Sequence, residues 1–530
     1  MQTDDRQQLE AWAADIRWDK PQYIACMALD PEGETLDVIR QHTHLPILTL
    51  DPGGETPNPP GVEGFSDPND LLGAVRMRAI EHQSAEVLVT GWAQDTYPDL
   101  EPEFISAIQA AHEQAESERV TRIGNVHDWT RLTLQTLPRA VGRPVVNRMM
   151  GSLKDLPVII VGAGPSLDKN IATVAALQKR QACAILAVNT AVPALAAAGC
   201  KPDMVFVAES KPRVLKDFAG LDMTETTLVA GIHTPLELDE IDFASRWLCV
   251  TASAGIGTWV QHILSTPNIS NGGSVSTVAL AAAIHLGCDP IVMVGMDCAH
   301  GEGGTHHAEG TDRGDYPATV RKAENYDCEL EYQNESGRWL PAREVTGWAG
   351  FGKVTAPACL NSYRQWFEFA AKPARLARLL ANCTEGGAHI EGFEELMLDD
   401  FAWVWPEGPT PAQRIRAAEC TAPPLSREEL SRGLQQLDAL SAKAAKAARK
   451  AARLAQSTSV AERQFQAALE KVPLAAAWAQ LVIHAQNQTT AGGKPLDRIA
   501  AAIGVAGESI ESDVGPLVRA SLREVDNGNC

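Results

Sequence analysis

Short apolar runs alternate with helix-length polar segments through the middle of the chain. The runs lie at 158–161, 184–188, 204–208, 227–230, 247–250 and 291–295. This alternation of strands and helices predicts an α/β fold with a central Rossmann-like, doubly wound and mostly parallel sheet. Ligands of such sheets bind beyond the carboxyl ends of the strands, where the strand order reverses.

The regions on either side of this centre have different patterns. Near the amino terminus, apolar runs at 23–28 and 47–50 enclose a polar helical segment, which is a β-α-β pattern, and a further strand pattern follows at 85–90. After the proline-rich stretch 406–424, the composition shifts to the helix formers Ala, Gln, Leu, Lys and Arg. We therefore expect three domains: a smaller α/β domain at 1–135, a central Rossmann-like domain at 136–400 and an all-helical domain at 410–530.

Charge and composition narrow the classes of partner and the compartment. The 530 residues carry a formal net charge of -21, which argues against general nucleic-acid binding because such proteins need an excess of Lys and Arg. The 11 cysteines are scattered without a C-x-x-C pair, as is typical of reduced thiols. The acidic amino terminus is unlike a secretory signal, and no apolar run is long enough to span a bilayer. We expect a cytoplasmic protein without a membrane partner.

A glycine-rich turn follows the first central strand pattern. Two glycines, Gly162 and Gly164, allow a sharp bend and a close approach to a ligand, and Pro165 and Ser166 lead into a helix. The free N–H groups of a helix start suit a phosphate, and Ser166 is placed either as a helix cap or as a hydroxyl donor to a phosphate oxygen. The alternative for this turn is tight strand-helix packing alone.

Polar residues also accompany the next two strand patterns. Asn189 follows the run 184–188 and is either a turn residue or an amide that recognises a base or ribose. Asp203 precedes the run 204–208, and Glu209 follows it. A carboxylate at the carboxyl end of a strand can contact a ligand hydroxyl or a metal ion.

A second turn of small residues opens an apolar helix. Gly272, Gly273 and Ser274 precede the helix pattern 278–286. The turn either binds a second anionic group at the start of that helix or serves only as its cap. We expect the two turns to come together as one cradle for a negatively charged donor.

The densest run of titratable residues follows the last central strand pattern. Asp297, Cys298, His300, His306 and His307 lie within it, and their spacing fits no closed zinc pattern. We therefore expect no tightly bound metal, although a divalent ion is compatible with the residues. A histidine acting as general base, hydrogen-bond donor or phosphate contact is the preferred interpretation.

Taken in order, these segments resemble the motility-associated factor (Maf) family of flagellin glycosyltransferases. The resemblance rests on the first turn, on Pro202-Asp203, on the second turn and on Gly295-Met296-Asp297. It continues through 307–310 and 353–355 to the closing stretch 382–392, so it covers about 150–396. The central domain of the family is also similar to bacterial sialyltransferases and to 6-hydroxymethylpterin diphosphokinases.

The resemblance implies transfer of a nonulosonic acid, such as pseudaminic or legionaminic acid, from a CMP-activated donor to Ser or Thr of flagellin. It places Thr355 among the donor-binding residues, and the helical carboxyl-terminal domain would bind the acceptor protein. Our hypothesis for the reaction gives catalytic roles to Asp297, His307 and Glu209: Asp297 orients the donor or acceptor, His307 handles a proton, and the sequence leaves open which of these two is the base. Two residues depart from the family pattern, which has aspartate in place of Glu209 and asparagine in place of Ser274. Because His306 and His307 are adjacent, the family histidine is assigned by its position before Ala308, which favours His307.

Two other functions remain open on the sequence. In a pterin-type diphosphokinase that uses ATP, Asp203, Glu209 and Asp297 would hold magnesium. In a non-catalytic nucleotide-binding assembly factor, the carboxyl-terminal helices would bind flagellin or another partner.

Overall fold

The chain divides into two compact units, Met1–Thr121 and Arg122–Cys530. The computed structural model describes residues 3–16, 23–30, 32–51, 59–66, 71, 74–75, 85–251, 256–311, 319–322, 330–333, 339–401, 408–454 and 515–526. The sheet of the central domain and the carboxyl-terminal helices both belong to the second unit. A separate helical domain at 410–530 therefore stays a prediction.

The first unit is built on a four-stranded parallel sheet with the order β3-β2-β1-β4. The β-α-β unit and the later strand predicted from the sequence are confirmed as β1, α2, β2 and β4, whereas β3 was not predicted. Helix α4 includes residues of both units. The elements are α1 (Thr3–Asp15), β1 (Tyr23–Met27), α2 (Glu34–His42), β2 (Ile47–Leu50), β3 (Val62–Phe65), β4 (Ala85–Val89), α3 (Gly91–Thr96) and α4 (Leu100–Arg139).

The second unit is built on an eight-stranded sheet with the order β16-β15-β10-β5-β6-β7-β8-β9, in which every pair is parallel. The six strands predicted from apolar runs are confirmed with ends within two residues. Its elements up to the tenth strand are β5 (Val158–Val161), α5 (Leu167–Lys179), β6 (Ala184–Val188), α6 (Val192–Ala197), β7 (Met204–Val207), β8 (Thr227–Gly231), β9 (Ser245–Cys249), α7 (Ile256–Leu264), α8 (Val275–Leu286) and β10 (Ile291–Val294).

The remaining elements of this unit include a four-stranded antiparallel sheet with the order β11-β12-β13-β14. The sequence did not predict this sheet. The elements are β11 (Val320–Lys322), β12 (Leu330–Gln333), β13 (Trp339–Thr346), β14 (Lys353–Pro357), α9 (Ala358–Ala374), β15 (Leu380–Asn382), β16 (Glu394–Glu395), α10 (Pro411–Thr421), α11 (Arg427–Leu454) and α12 (Gly515–Asp526). Short 3₁₀ turns lie at Val146–Arg148, Asn189–Ala191, Pro212–Phe218, Leu236–Glu240, Glu302–Gly304, Trp348–Gly350 and Leu398–Asp400.

The strand order reverses between β5 and β10. From β5 the chain moves outward through β6 to β9, and it then returns to place β10 on the other side of β5. Helix α5, which follows β5, and helix α8, which precedes β10, cover opposite faces of the sheet. A doubly wound sheet opens its ligand crevice at such a point, so the fold directs attention to the residues after β5 and β10.

Alternate residues of the strands bury the two faces of the sheet. Ile159 and Val161 pack with helix α5 in one buried cluster, whereas Val158 and Ile160 pack with α8 and α9 in the other. Since both faces are covered, the strands read as unbroken apolar runs, which is why the sequence predicted them well.

Two further expectations concern thiols and membranes. The cysteines that the structure describes are free thiols, and most of them are buried. Within the described ranges, no helix has the length and apolar character that would let it cross a bilayer.

Candidate functional site

The site begins where the ends of β5 and β10 approach each other closely. The Gly164 N–H donates to the Gly295 carbonyl at 2.9 Å, and a Cβ on Gly162 would lie 2.4 Å from that same oxygen. Gly295 itself has a positive φ of 64°. Gly162 and Gly295 are therefore needed, because a side chain at either position would prevent the two strand ends from approaching this closely.

The first glycine turn is occupied by a carboxylate of the chain itself. Ser166 Oγ donates to Asp297 Oδ2 at 2.7 Å, and the Ser166 N–H donates to Asp297 Oδ1 at 3.2 Å. Ser166 is thus a hydroxyl donor, as expected, but its partner here is Asp297. The carboxylate lies at the amino end of α5, where free N–H groups and the helix dipole favour negative charge.

Burial sets the acidity of Asp297. Its side chain is only 4% exposed, and burial raises its pKa to about 6, although the hydrogen bonds from Ser166 and the charge of Lys169 act in the opposite direction. A carboxyl group with a pKa near neutrality can exchange a proton during a reaction, so Asp297 is suited to acid–base chemistry.

We expect Gly164→Ala to lower the free energy of unfolding by about 2 kcal/mol, the usual scale for overpacking. A Cβ at this position would lie 1.9 Å from Asp297 Oδ2 and 2.8 Å from the Gly295 carbonyl, which is backbone and cannot move aside cheaply. Gly124→Ala is the matched control, because a Cβ on Gly124 meets nothing within 4 Å. Urea unfolding of both variants is the measurement, and equal stabilities would contradict this account of the turn.

The histidine loop folds over the glycine turn. The Ala308 N–H donates to the Ala163 carbonyl at 2.9 Å, and Gly301 lies directly against the Pro165 ring, where a Cβ would be 2.6 Å from Cγ. His307 immediately precedes Ala308 and is half-buried. The structure therefore brings His307, Pro165 and the turn together.

The other two histidines of the loop belong to an aromatic cluster. The ring centroids of His300 and His306 are 4.3 Å apart, and the Tyr332 ring lies 5.3 Å from His300. His300 is 5% exposed, and burial lowers its pKa to about 4, so it is neutral at physiological pH. Its backbone N–H donates to the Thr355 carbonyl at 2.9 Å, which attaches the antiparallel sheet to this edge.

Three further polar residues follow the next strands at the same carboxyl edge. Asn189 follows β6 and is 3% exposed; its Nδ2 donates to Asp217 at 2.6 Å, while its Oδ1 has no hydrogen-bond partner among the described residues. Glu209 follows β7, is half-buried, and accepts a hydrogen bond from the Lys211 N–H. His233 follows β8, and its Nε2 donates to the Ala208 carbonyl at 3.0 Å. The carboxyl edge thus carries an amide after β6, a carboxylate after β7 and an imidazole after β8.

Asp203 does not belong with the residues at the carboxyl edge, although the sequence had made it a candidate site residue. It precedes β7, so it lies at the amino edge of the sheet, opposite the edge that carries Ser166 and Asp297. Its Oδ2 accepts the Ile185 N–H at 2.8 Å, which ties β7 to β6, and burial raises its pKa to about 6. Its position before the run 204–208 already places Asp203 at the start of the strand, and its hydrogen bond shows that it helps to hold the strands together.

The second turn is a helix cap at the same edge but on the other face of the sheet. Ser274 Oγ accepts the Thr277 N–H at 3.3 Å, and the Thr277 hydroxyl contacts the Ser274 backbone in return, which is a capping box on α8. Gly272 lies against the Trp366 ring, and Gly273 has a φ of 98° beside Tyr363. Helices α5 and α8 cover opposite faces of the sheet, so the two turns flank the carboxyl edge from either side, and their union in one cradle stays a prediction.

Comparison with known proteins extends this description. The model of the 6-hydroxymethylpterin diphosphokinase MptE-like family matches residues 132–303. The solved structure of a Maf glycosyltransferase from Magnetospirillum magneticum AMB-1 is similar over 99% of this chain and 84% of its own, with a TM-score of 0.53 and 14% sequence identity. The chain has a Maf-like fold. The resemblance that its sequence predicted is confirmed by these two findings, whereas no curated protein matches it in sequence.

The structure of the Maf-like fold adds residues that the sequence did not single out. Lys169 lies in the first turn of α5, and its Nζ donates to the Glu385 carbonyl at 2.7 Å. Thr384 Oγ1 accepts the Met296 N–H, and Gly387 gives the Asp297 backbone room that a Cβ would remove, since it would lie 2.2 Å from the Asp297 carbonyl. His233 was also not singled out. Of these residues, it is the one that the sequence could have suggested, because it comes soon after the apolar run 227–230.

The described part of the Maf-like fold contains no group of three or more His, Cys, Asp or Glu side chains arranged to hold a metal ion. The carboxylates that the diphosphokinase interpretation assigned to magnesium are divided between the two edges of the sheet, with Asp203 on one and Glu209 and Asp297 on the other. The site therefore does not bring that set together.

Proposed function

We propose that this chain is a glycosyltransferase that moves a nonulosonic acid, of the pseudaminic or legionaminic type, from a CMP-activated donor to Ser or Thr of flagellin in the cytoplasm. The observation that supports the proposal is that Asp297 and the histidine loop both contact the glycine turn at the reversal point of a Maf-like fold. Such an edge is where doubly wound sheets bind nucleotides.

The donor is held by its phosphate and its nucleoside. The phosphate of the CMP-sugar approaches the amino end of α5, where Ser166 and the backbone of the turn can donate to it, and Lys169 supplies a positive charge beside the turn. This phosphate replaces the Asp297 carboxylate. The buried Oδ1 of Asn189 accepts an N–H or O–H group, which cytosine and ribose both offer.

The proposed reaction needs one group that accepts the hydroxyl proton and one negatively charged group close to the reacting carbon. The acceptor hydroxyl attacks the anomeric carbon, the bond from that carbon to the phosphate oxygen breaks, and CMP leaves with the electron pair. His307 takes the hydroxyl proton, Asp297 orients the reacting groups, and Glu209 stabilises the oxocarbenium-like positive charge. The reaction needs no tightly bound cofactor, and an EDTA arm of the assay tests whether a divalent ion assists.

We expect the purified chain, given a CMP-nonulosonic acid and flagellin, to release CMP and to increase flagellin mass by whole sugar units. Chromatography of CMP and intact-protein mass spectrometry are the measurements. The matched control omits flagellin, which should lower CMP release to the rate of hydrolysis. Absence of CMP release with both pseudaminic and legionaminic donors would overturn the proposal.

The matching MptE-like family model favours a second candidate, the diphosphokinase. Magnesium-dependent release of AMP from ATP with 6-hydroxymethyl-dihydropterin would support that function. Flagellin binding without turnover of either substrate would instead support the assembly factor.

A further inference from the structure

Helix α4 contacts the carboxyl edge of the large sheet beside the ends of β7 and β8. The Trp129 ring packs against the His233 ring, with their centroids 5.3 Å apart and their planes inclined by 46°. Asp128, one residue earlier on the helix, accepts a hydrogen bond from Lys211 Nζ at 2.7 Å. Because His233 follows β8 and Lys211 follows β7, two separate contacts hold this part of α4 at the edge.

The Glu209 carboxylate connects these two contacts. Its Oε1 accepts the Lys211 N–H at 2.9 Å, and its negative charge acts on the imidazole of His233. The side chain is half-buried, and one hydrogen bond leaves a carboxylate with further positions at which it can accept. Glu209, His233 and Trp129 therefore form one cluster in which the carboxylate can still accept from a ligand.

The imidazole of His233 gives the indole a rigid support. Burial lowers the pKa of His233, although the Glu209 charge acts in the opposite direction, so the ring is neutral at physiological pH. Its Nε2 donates to the Ala208 carbonyl at 3.0 Å, which fixes the orientation of the ring. Trp129 packs against this fixed ring and is itself only half-buried, so part of the indole surface stays open to solvent.

An aromatic ring beside a carboxylate is a combination that suits a sugar. The C–H groups of a sugar ring and the methyl group of an acylamino substituent pack against an indole, while the hydroxyl and amide N–H groups donate to a carboxylate. A phosphate at this place would instead be repelled by Glu209. A nucleotide base could stack on Trp129 as well, and the affinity for CMP without the sugar distinguishes that alternative.

We propose that Trp129 is a specificity-determining residue that packs against the sugar of the donor, in a subsite that includes Glu209 and is supported by His233. The inference rests on the proposed function, in which Glu209 stabilises positive charge on the reacting sugar. A sugar beside Glu209 meets the next member of the same cluster, which is the indole. Helix α4 thereby contributes directly to the choice of donor.

The test compares binding of the complete donor with binding of CMP, which lacks the sugar. Trp129→Ala removes the ring, and Trp129→Phe keeps a smaller aromatic face. Asp128→Asn is the matched control, because it weakens the contact of the same helical turn with Lys211 and leaves the indole in place. Isothermal titration calorimetry of the full-length chain without flagellin gives the dissociation constants of CMP-pseudaminic acid, CMP-legionaminic acid and CMP.

We expect Trp129→Ala to weaken binding of the donor by roughly tenfold and Trp129→Phe by about threefold, while the affinity for CMP stays within about twofold of wild type. Asp128→Asn should keep both affinities within about twofold. If Trp129→Ala does not fold, Trp129→Phe gives the same comparison.

Three results would overturn the inference. Unchanged donor affinity in both Trp129 variants would show that the ring contacts no sugar, and equal losses for donor and CMP would show that it stacks on the base or only supports the fold. An equal loss of donor affinity in Asp128→Asn would assign the effect to the placement of α4. The proposed function fails on different evidence, namely the absence of CMP release by the wild type, so the two failures are distinguishable.

Discussion

We expect Asp297→Asn to lower turnover by about 10²-fold, because the amide keeps the shape of the carboxylate but cannot supply the charge that orients the reacting groups. Asp297 lies at the reversal point of the sheet, is almost fully buried, and has a pKa of about 6 through burial. The measurement is the initial rate of CMP release at saturating donor. Wild-type turnover in the variant would remove Asp297 from the mechanism.

A loss of fold would not explain this result, because the variant is expected to be stable at neutral pH. An unfolded Asp titrates near 3.8, whereas the folded Asp297 titrates near 6, so between these values only the folded state keeps the proton. Stability contributed by this group therefore falls as pH rises through about 6. Relative to wild type, the variant should gain on the order of 3 kcal/mol of unfolding free energy between pH 4 and pH 7.

Asp203→Asn is the matched control, because it also replaces a buried carboxyl group whose pKa is raised by burial. Burial also raises the pKa of Asp203 to about 6, so this variant should show a similar pH-dependent gain in stability. It lies at the amino edge, however, and we expect its turnover to stay within about threefold of wild type. Equal losses of turnover in the two variants would show that the effect comes from the buried charge and not from the site.

His307→Ala also lowers turnover by roughly 10²-fold, if this imidazole takes the proton of the acceptor hydroxyl. His307 lies one residue before Ala308, whose N–H donates to the Ala163 carbonyl, so the loop holds His307 near the glycine turn. The measurement is transfer to flagellin at saturating acceptor, compared with hydrolysis of the donor in water. Transfer should fall more than hydrolysis, since an attacking water can pass its proton to the surrounding solvent, whereas a bound acceptor hydroxyl depends on the positioned base.

His306→Ala is the matched control for the adjacent histidine. His306 packs against His300 and contacts Tyr332, so its ring belongs to the aromatic cluster. We expect its removal to change transfer by less than about threefold. A larger loss in His306→Ala than in His307→Ala would reverse the assignment of the family histidine.

The main sheet could be predicted from the sequence because its strands are buried on both faces. Val158–Val161 and Ile291–Val294 contain no polar residue, so their runs stand out against the helices that follow. The antiparallel sheet gives a weaker signal. Its longest strand, Trp339–Thr346, is mostly half-buried or exposed and carries Arg343 and Glu344 within it. Such a strand lacks the continuous apolar pattern that identifies a buried one.

The candidate site could be predicted in its positions but not in its contacts. The sequence identified the turn at Gly162–Ser166 and the carboxylate at Asp297 separately, and only the pairing of β5 with β10 shows that they touch. Asp203 illustrates a different error, because a residue that precedes a parallel strand lies at the amino edge, away from the residues that follow the strands. Lys169 and Gly387 were missed since each acts through a neighbour that is distant in the sequence, namely Glu385 and Asp297.

The Asp297 carboxylate in the glycine turn has a consequence for affinity. An anion that enters the turn competes with the Asp297 carboxylate. The local concentration of this carboxylate is fixed by the chain and does not fall on dilution. Under the proposed function, nucleotides should therefore bind more weakly than the bare loop would allow, and the returning carboxylate would compete with spent CMP for the same donors. The residue that orients the reacting groups would in this way also help to release the product.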